Sequence, residues 1–456
     1  MLAPVQHMEH WQSRLDELAR RHDVPGAVLG ISTPAGSGIA ATGVLNLRTG
    51  APVRPDSVFH LGSITKVFVT TAVMRLVQDG RLDLDKPVNA VLPELVLGDR
   101  EATDRVSLRH LLTHTSGIDG DVFVDTGRGD DCIARYVARL AEVAQNSPLG
   151  ATWSYCNSGF SLAGRVVEQV TGLVWDDAMR ELVYEPLGLL DTLTLPEDAL
   201  LRSTAVGHMV EDGRTISVRQ WQLPRSIGPA GLIASTVSDL LAFARLHLDG
   251  GPLLTTSSIE QMQAEQVRVD AKHSLAETWG LGWQRFVWDG HSLIGHDGST
   301  IGQQSHLILL PSQGLAVALL TNRRTPNLYE DLFREIFAEL AGVDMARQPV
   351  PPATPLGLLP TEYVGVYERA GQRIEVLIES GRPVLRVTTL GKLAEYVPDP
   401  VEDLPMVAFE PDVYLVPLTG SEHWLPVSFY NLADGSPYLH FCGRASALRK
   451  GPNVSK

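Results

Sequence analysis

The chain has only three cysteines in 456 residues, Cys132, Cys156 and Cys442. Three thiols make no disulfide framework, and no two of them stand at zinc-ligand spacing. Basic residues are also short, with 38 Lys plus Arg against 53 Asp plus Glu and a formal charge of −15. A surface of that sign lacks the positive footprint that nucleic acid or an anionic membrane requires, so neither partner is expected. No apolar run reaches the length of a membrane span. The first seven residues carry neither the basic nor the apolar part of a secretory signal, and the expected location is the cytoplasm. None of the 14 histidines falls in a His-Glu-x-x-His pattern, so no metal is expected. What is present, 44% hydrophobic and 20% charged residues, is a globular composition that excludes disorder, collagen and coiled coil.

The length favours two domains, one large and one small. Trp11, Leu15, Leu18 and Ala19 recur at helical spacing over residues 9–22, and Pro25-Gly26 stops that helix. Two short strands are expected at 27–32 and 38–45. A second helix, over 63–78, is apolar on most sides, as a helix inside a large core is. Gly80 would end it. Further helices fit 108–112, 132–143, 158–170, 175–183 and 238–248. Strands fit 280–287, 304–309 and 315–320. Helices between two sheet-forming ends predict one α/β domain over 1–344, an antiparallel sheet flanked by helices. Five prolines make 345–360 a semi-rigid linker. From 361 to 456, short strands at 363–368, 374–378, 384–388, 394–397, 413–416, 427–430 and 438–441 predict a small all-β barrel or sandwich. The acidity belongs mainly to the large domain, with 29 basic against 41 acidic residues before position 351 and 9 against 12 after it.

Three short patterns carry chemistry. In Gly62-Ser63-Ile64-Thr65-Lys66, Ser63 and Lys66 share a helix face. A buried lysine loses its proton readily and could then accept the serine proton; on a surface helix the same spacing arises by chance. In Tyr155-Cys156-Asn157 the tyrosine can relay a proton and the asparagine amide can orient a carbonyl, or the segment is a capping turn. In Gly295-His296-Asp297-Gly298-Ser299 the Ser299 N–H can face an oxyanion together with the Ser63 N–H. His296 can donate to an acyl carboxylate or to Tyr155; otherwise this stretch is a tight turn. Residues 117–131 hold five aspartates and four glycines, which reads as a solvated loop or as a rim that attracts an amine. His114 reads as structural. Trp153, Trp221, Trp279 and Trp283 fit either a cleft wall or a core.

The three patterns, in this order, resemble the class C β-lactamase and penicillin-binding protein superfamily of serine acyl enzymes. Leu111-Leu112-Thr113-His114-Thr115-Ser116-Gly117, Gly231-Leu232-Ile233-Ala234-Ser235-Thr236, Gly280-Leu281-Gly282-Trp283 and Gly302 add to the likeness, which spans about residues 10–340. The resemblance implies Ser63 as nucleophile, Lys66 as base, Tyr155 as proton relay and Asn157 as orienting amide, and leaves open which of Lys66 and Tyr155 is the main base. His296 stands where the superfamily's Lys-Thr-Gly motif usually has lysine. Histidine there is typical of its esterases, D-aminopeptidases and D-amino-acid amidases. Tyr363-Val364-Gly365-Val366-Tyr367 resembles the opening of a lipocalin-like barrel. Together these traits resemble the stand-alone thioesterases of penicillin-binding-protein type, and the 117–131 segment is similar to theirs. That likeness implies release of a non-ribosomal peptidyl thioester, carried on a carrier protein, by head-to-tail macrolactamisation involving a D-residue. The alternative is a D-stereospecific aminopeptidase, amidase or esterase acting on a small peptide or ester. Neither reading implies a cofactor.

Overall fold

The computed structural model describes residues 8–273, 276–354, 356–357, 359–391, 394, 399–419 and 421–449. The helix Met8–Arg21 opens the chain and buries Trp11, Leu15, Leu18 and Ala19, the four residues its periodicity selects. Strands β1 (Gly26–Thr33) and β2 (Gly36–Gly43) form the expected hairpin. β3 (Phe59–His60) pairs with β6 (Ala234–Ser235), and β4 (His208–Glu211) with β5 (Arg214–Ser217). The later strands are β7 (Val267–Arg268), β8 (Thr278–Trp279), β9 (Gln284–Trp288), β10 (His291–Ser299), β11 (Gln304–Leu310) and β12 (Leu315–Thr321). They join the first hairpin in one antiparallel sheet of order β2-β1-β12-β11-β10-β9-β8-β7.

Both faces of this sheet are covered. On β12, Ala316, Ala318 and Leu320 enter the larger core, while Leu315, Val317 and Leu319 enter the smaller one. Alternate side chains point to opposite faces, so a strand buried on both sides reads as a continuous apolar run. The helices Thr65–Gln78, Asn157–Thr171 and Val237–Asp249 fill one side. Met8–Arg21 and Pro326–Ala341 fill the other. Pro326–Ala341 is absent from the expected elements, although Pro326 in its first turn, the apolar set Leu328, Leu332, Phe333, Ile336 and Phe337, and Gly342 at φ 66° all signal it. The Gly295–Ser299 pattern, for which a tight turn was open, lies in strand β10. Among the described residues no helix is long and apolar enough to cross a membrane.

The C-terminal region is a nearly closed antiparallel barrel of nine strands. These are β13 (Gly365–Arg369), β14 (Gln372–Glu379), β15 (Arg382–Thr389), β16 (Val401–Pro405), β17 (Val407–Glu410), β18 (Val413–Pro417), β19 (Trp424–Asn431), β20 (Pro437–Phe441) and β21 (Arg444–Arg449). Their order is β16-β15-β14-β13-β21-β20-β19-β18-β17, so consecutive strands stand at the two ends of the sheet. Tyr367, Ile374, Val376, Leu385, Val416, Val427 and Leu439 are buried in the core of this unit. The strands β16, β17 and β21 are additions to the sequence expectation; Val-Glu-Asp-Leu-Pro and Arg-Ala-Ser-Ala-Leu-Arg lack the β-branched run that announces a strand. The expected strand at 394–397 lies, apart from Ala394, outside the described residues.

Candidate active site

Ser63 sits in a single 3-10 turn, Gly62–Ile64, that runs into the helix Thr65–Gln78. Lys66 follows one turn later and is fully buried. Its Nζ donates to the Ala230 carbonyl at 2.6 Å and lies 3.1 Å from Ser63 Oγ. Both partners are neutral oxygens. Burial therefore drives the lysine well below its ordinary value of 10.5, and Arg444 pushes the same way; Cys156 and Asp121 oppose without prevailing. An amine that has lost its proton keeps an N–H for Ala230 and offers a lone pair to the Ser63 hydroxyl.

Two glycines bring strand β10 against the turn before Ser63. Gly62 has φ +51°, and a Cβ there would stand 2.5 Å from the Ser299 nitrogen. A Cβ on Gly298 would run into the Leu61 carbonyl oxygen. Only glycine permits this approach of two backbones, which sets the Ser63 and Ser299 backbones side by side. Strand β9 pairs with β10 only as far as Gln284 opposite Gly295. Beyond that point, among the described residues, the β9-side edge of β10 from His296 to Ser299 has no strand partner.

Tyr155 precedes Cys156, whose Sγ caps the helix Asn157–Thr171 by accepting the Gly159 N–H. His114, at φ +59°, accepts the Cys156 N–H on Nδ1 at 2.9 Å and stacks on the Tyr155 ring with centroids 4.2 Å apart. It is the platform that fixes the tyrosine, in keeping with the structural role expected for it. Trp153 and Trp279 pack behind it and Trp283 against His247, all three fully buried. They are core, not cleft wall. Trp221 is half-buried against His60. Burial raises Tyr155 above its ordinary value, although Ser63 and Arg444 both favour its ionised form. Its hydroxyl has no hydrogen-bond partner among the described residues.

His296 is buried with Nδ1 2.6 Å from the Asp297 carbonyl oxygen. A carbonyl only accepts, so Nδ1 carries the hydrogen. Burial, above all, pushes the ring down to about 4, leaving it neutral near pH 7. Nε2 then presents a lone pair, and it has no partner among the described residues. With its hydrogen on Nδ1, His296 can accept but not donate on Nε2, unlike the donation that its sequence position suggested.

The barrel reaches this cluster through the two-residue turn Cys442-Gly443 between β20 and β21, both at positive φ. The Gly443 carbonyl accepts the Tyr155 N–H at 2.9 Å, and Ala445 N–H donates to Ser154 Oγ at 3.1 Å. The Arg444 guanidinium carbon stands 4.7 Å from the centre of the Tyr155 ring. Arg444 donates to Asp121 at 3.0 and 3.2 Å, Asn157 Nδ2 donates to it at 3.3 Å, and Arg369 completes the set. Ala370 N–H donates to Asp119 Oδ2 at 2.6 Å. The 117–131 segment is therefore not one solvated loop. Asp119 and Asp121 are buried and hold the barrel, while Asp125, Asp130 and Asp131 remain exposed. An amine-attracting charge at Asp121 is already met by two arginines. Arg369, Arg444 and the role of Asp121 lay beyond sequence reasoning; a Cys-Gly turn signals a hairpin but not what its neighbour touches. Among the described residues no group of three or more His, Cys, Asp or Glu is placed to hold a metal ion.

A family profile described as Beta-lactamase matches residues 11–340. Penicillin-binding protein 4 of Amycolatopsis lactamdurans is 43% identical over 378 residues, covering 81% of this chain and 99% of that protein. Unguisins hydrolase ungD' of Aspergillus campestris is 25% identical over 445 residues, covering 85% of this chain and 80% of that one. The crystal structure of SurE with D-Leu aligns with TM-score 0.77 at 27% identity, covering 97% of this chain and 99% of SurE.

Proposed function

This chain belongs to the β-lactamase family of serine acyl-transferring enzymes, and from that premise we propose that it passes a peptidyl group through an ester on Ser63 to an amine. The substrate is a peptidyl thioester on a carrier protein, and the acceptor is the peptide's own α-amine, so that a non-ribosomal peptide leaves in trans as a head-to-tail macrolactam joined at a D-residue. One observation carries the acyl step: a fully buried Lys66, with only neutral oxygens as bonded partners, 3.1 Å from Ser63 Oγ. Likeness to SurE over both regions of the chain, in a structure holding D-Leu, supports the D-residue.

Lys66 takes the Ser63 proton, and Oγ attacks the thioester carbonyl. The N–H groups of Ser63 and Ser299 hold the oxyanion. The C–S bond breaks, and the thiol leaves with the proton from Lys66. The α-amine then attacks the ester; an N–C bond forms, the C–Oγ bond breaks, and the proton lost by nitrogen returns to Oγ through Lys66. Tyr155, held protonated by burial, bonds the leaving atom, and Asn157 orients the acyl amide. His296 Nε2, which carries no hydrogen, is left to accept a hydrogen bond as the site fills. Lys66 rather than Tyr155 is the base in this reading, because burial strips a proton from an amine and keeps one on a phenol. No step calls on a metal or organic cofactor.

A hydrolytic second reading has its own support in the likeness to a protein named for unguisin hydrolysis. Water replaces the amine, and the enzyme is a D-stereospecific peptidase, amidase or esterase. Mass spectrometry of products from linear peptidyl thioesters ending in a D- or an L-residue separates the two, with Ser63→Ala as control. A product one water lighter than the free acid, formed from the D-substrate, is expected. Free acid alone from every substrate would replace the cyclase by the hydrolase.

A further inference from the structure

The Asp121 carboxylate receives hydrogen bonds from both regions of the molecule: from Asn157 at one end of the site, and from Arg369 and Arg444 of the barrel. The side chains of Asp121 and Arg369 are only 6% and 8% exposed. Two guanidinium groups on one carboxylate leave a net positive charge beside the site. Among the described residues Arg369 donates to Asp121 and Gln372 and to no candidate reacting group.

The groups facing Lys66 come from every surrounding element. Ser63 lies on its own turn, and Tyr155 and Cys156 come from the approach to the helix Asn157–Thr171. His114 follows the helix Leu108–Leu112, His296 and Asp297 come from β10, and Arg444 from β21. Burial keeps Tyr155 and Cys156 protonated and both histidines neutral. The Asp297 carboxylate is engaged by His306 at 2.6 Å. The charges left to act on Lys66 are those of Arg444 and Asp121, and Arg369 reaches it only through the seat it gives them.

We propose that Asp121 and Arg369 are positioning residues that seat Arg444 over Tyr155, so that the barrel sets the pH at which Ser63 becomes acylated. The proposal rests on the acyl-serine reading above. Arg444 disfavours a proton on Lys66, and Asp121 favours one. Removing a positive charge from the clamp must therefore move the onset of acylation to higher pH, and removing the carboxylate must move it lower.

The test is the first-turnover rate of Ser63 acylation by a p-nitrophenyl ester in the full-length protein across pH, with intact-protein mass showing the adduct. Arg444→Gln and Arg369→Gln are expected to raise the midpoint of the acid limb by up to about one pH unit. Asp121→Asn, whose amide oxygen still accepts from Arg444 and keeps it seated while the charge is gone, is expected to lower it, and Arg369→Lys to return it to the wild-type position. A role confined to structure would lower the rate at all pH values with the midpoint unmoved, and that result overturns the proposal. Midpoints of Arg444→Gln and Asp121→Asn that move in the same direction also overturn it. If Asp121→Asn fails to fold, the contrast between Arg369→Gln and Arg369→Lys decides alone. A wild-type protein that forms no Ser63 adduct overturns the acyl-serine reading and the clamp's role with it; an adduct with unmoved midpoints overturns only the clamp.

Discussion

Two basic side chains face the ring of Tyr155, one from each region of the molecule. Lys66 Nζ of the α/β region lies 4.8 Å from the ring centre and the Arg444 guanidinium of the barrel 4.7 Å. Their distances match and their fates differ. Lys66 bonds only a hydroxyl and a carbonyl, so burial pushes its proton off. Arg444 bonds a carboxylate, and that partner outweighs the same burial and keeps it charged. A buried cation becomes a base when its neighbours are neutral and a fixed charge when a counter-ion comes with it. The site uses one of each, and each region supplies one.

The sharpest way to break this comparison is Ser63→Ala. Turnover and the acyl adduct should fall by about 10³-fold or more while the circular dichroism spectrum is retained; undiminished turnover would remove the mechanism. Lys66→Met is the next largest change, with an expected loss of about 10³-fold in acylation and a gain in stability. The sign follows from linkage. The folded state refuses a proton that the unfolded lysine binds, so the penalty lifted by methionine exists below the ordinary lysine value of 10.5 and fades as pH rises to it. Thermal unfolding of both proteins at pH 7 and near pH 10 checks this.

Gly298→Ala should cost about 10²-fold in activity, because the added methyl pushes β10 off Leu61 and withdraws the Ser299 N–H. Arg444→Met should do the opposite of Lys66→Met. It strands part of the Asp121 charge and should destabilise the protein by about 1–3 kcal/mol. Burial alone would raise Asp121, but Arg444 and Arg369 outweigh it and hold the carboxyl below its usual range. The stability that Asp121 contributes is therefore complete above the ordinary carboxylate value of about 3.9 and lost as pH falls below it. Denaturant titrations of the variant and the wild type should converge in acid. The smallest effect is expected from Tyr430→Phe, which removes one 2.9 Å bond to Thr152 at the docking face. It should cost about 1 kcal/mol and change the rate less than threefold, as read from the same titration and assay.

Local signals recovered the first helix, the first hairpin and the Ser63 helix almost to the residue, because spacing and stop residues decide them. The barrel's strands β16, β17 and β21 escaped, since charged or small residues form strands there only through the register of their neighbours. Ser63 with Lys66, and Tyr155 with Asn157, stand out in the sequence because their spacing along the chain is short and their chemistry distinctive, and the structure brings Lys66 beside both Ser63 and Tyr155. Whether His296 gives or takes a hydrogen was not readable, since the Asp297 carbonyl that decides it is oriented by the strand.

The sequence by itself determined that Ser63 and Lys66 share a helix face, the two kinds of region and five strands of the central sheet, β1, β2, β9, β11 and β12. These depend on contacts within a few residues, or on apolar periods that burial enforces. Only the tertiary structure decided which charges surround Lys66. Asp121 meets Arg369 and Arg444 across 248 and 323 residues of chain. No local pattern encodes such pairs, because a Coulomb interaction depends on distance in space and on the water that folding removes.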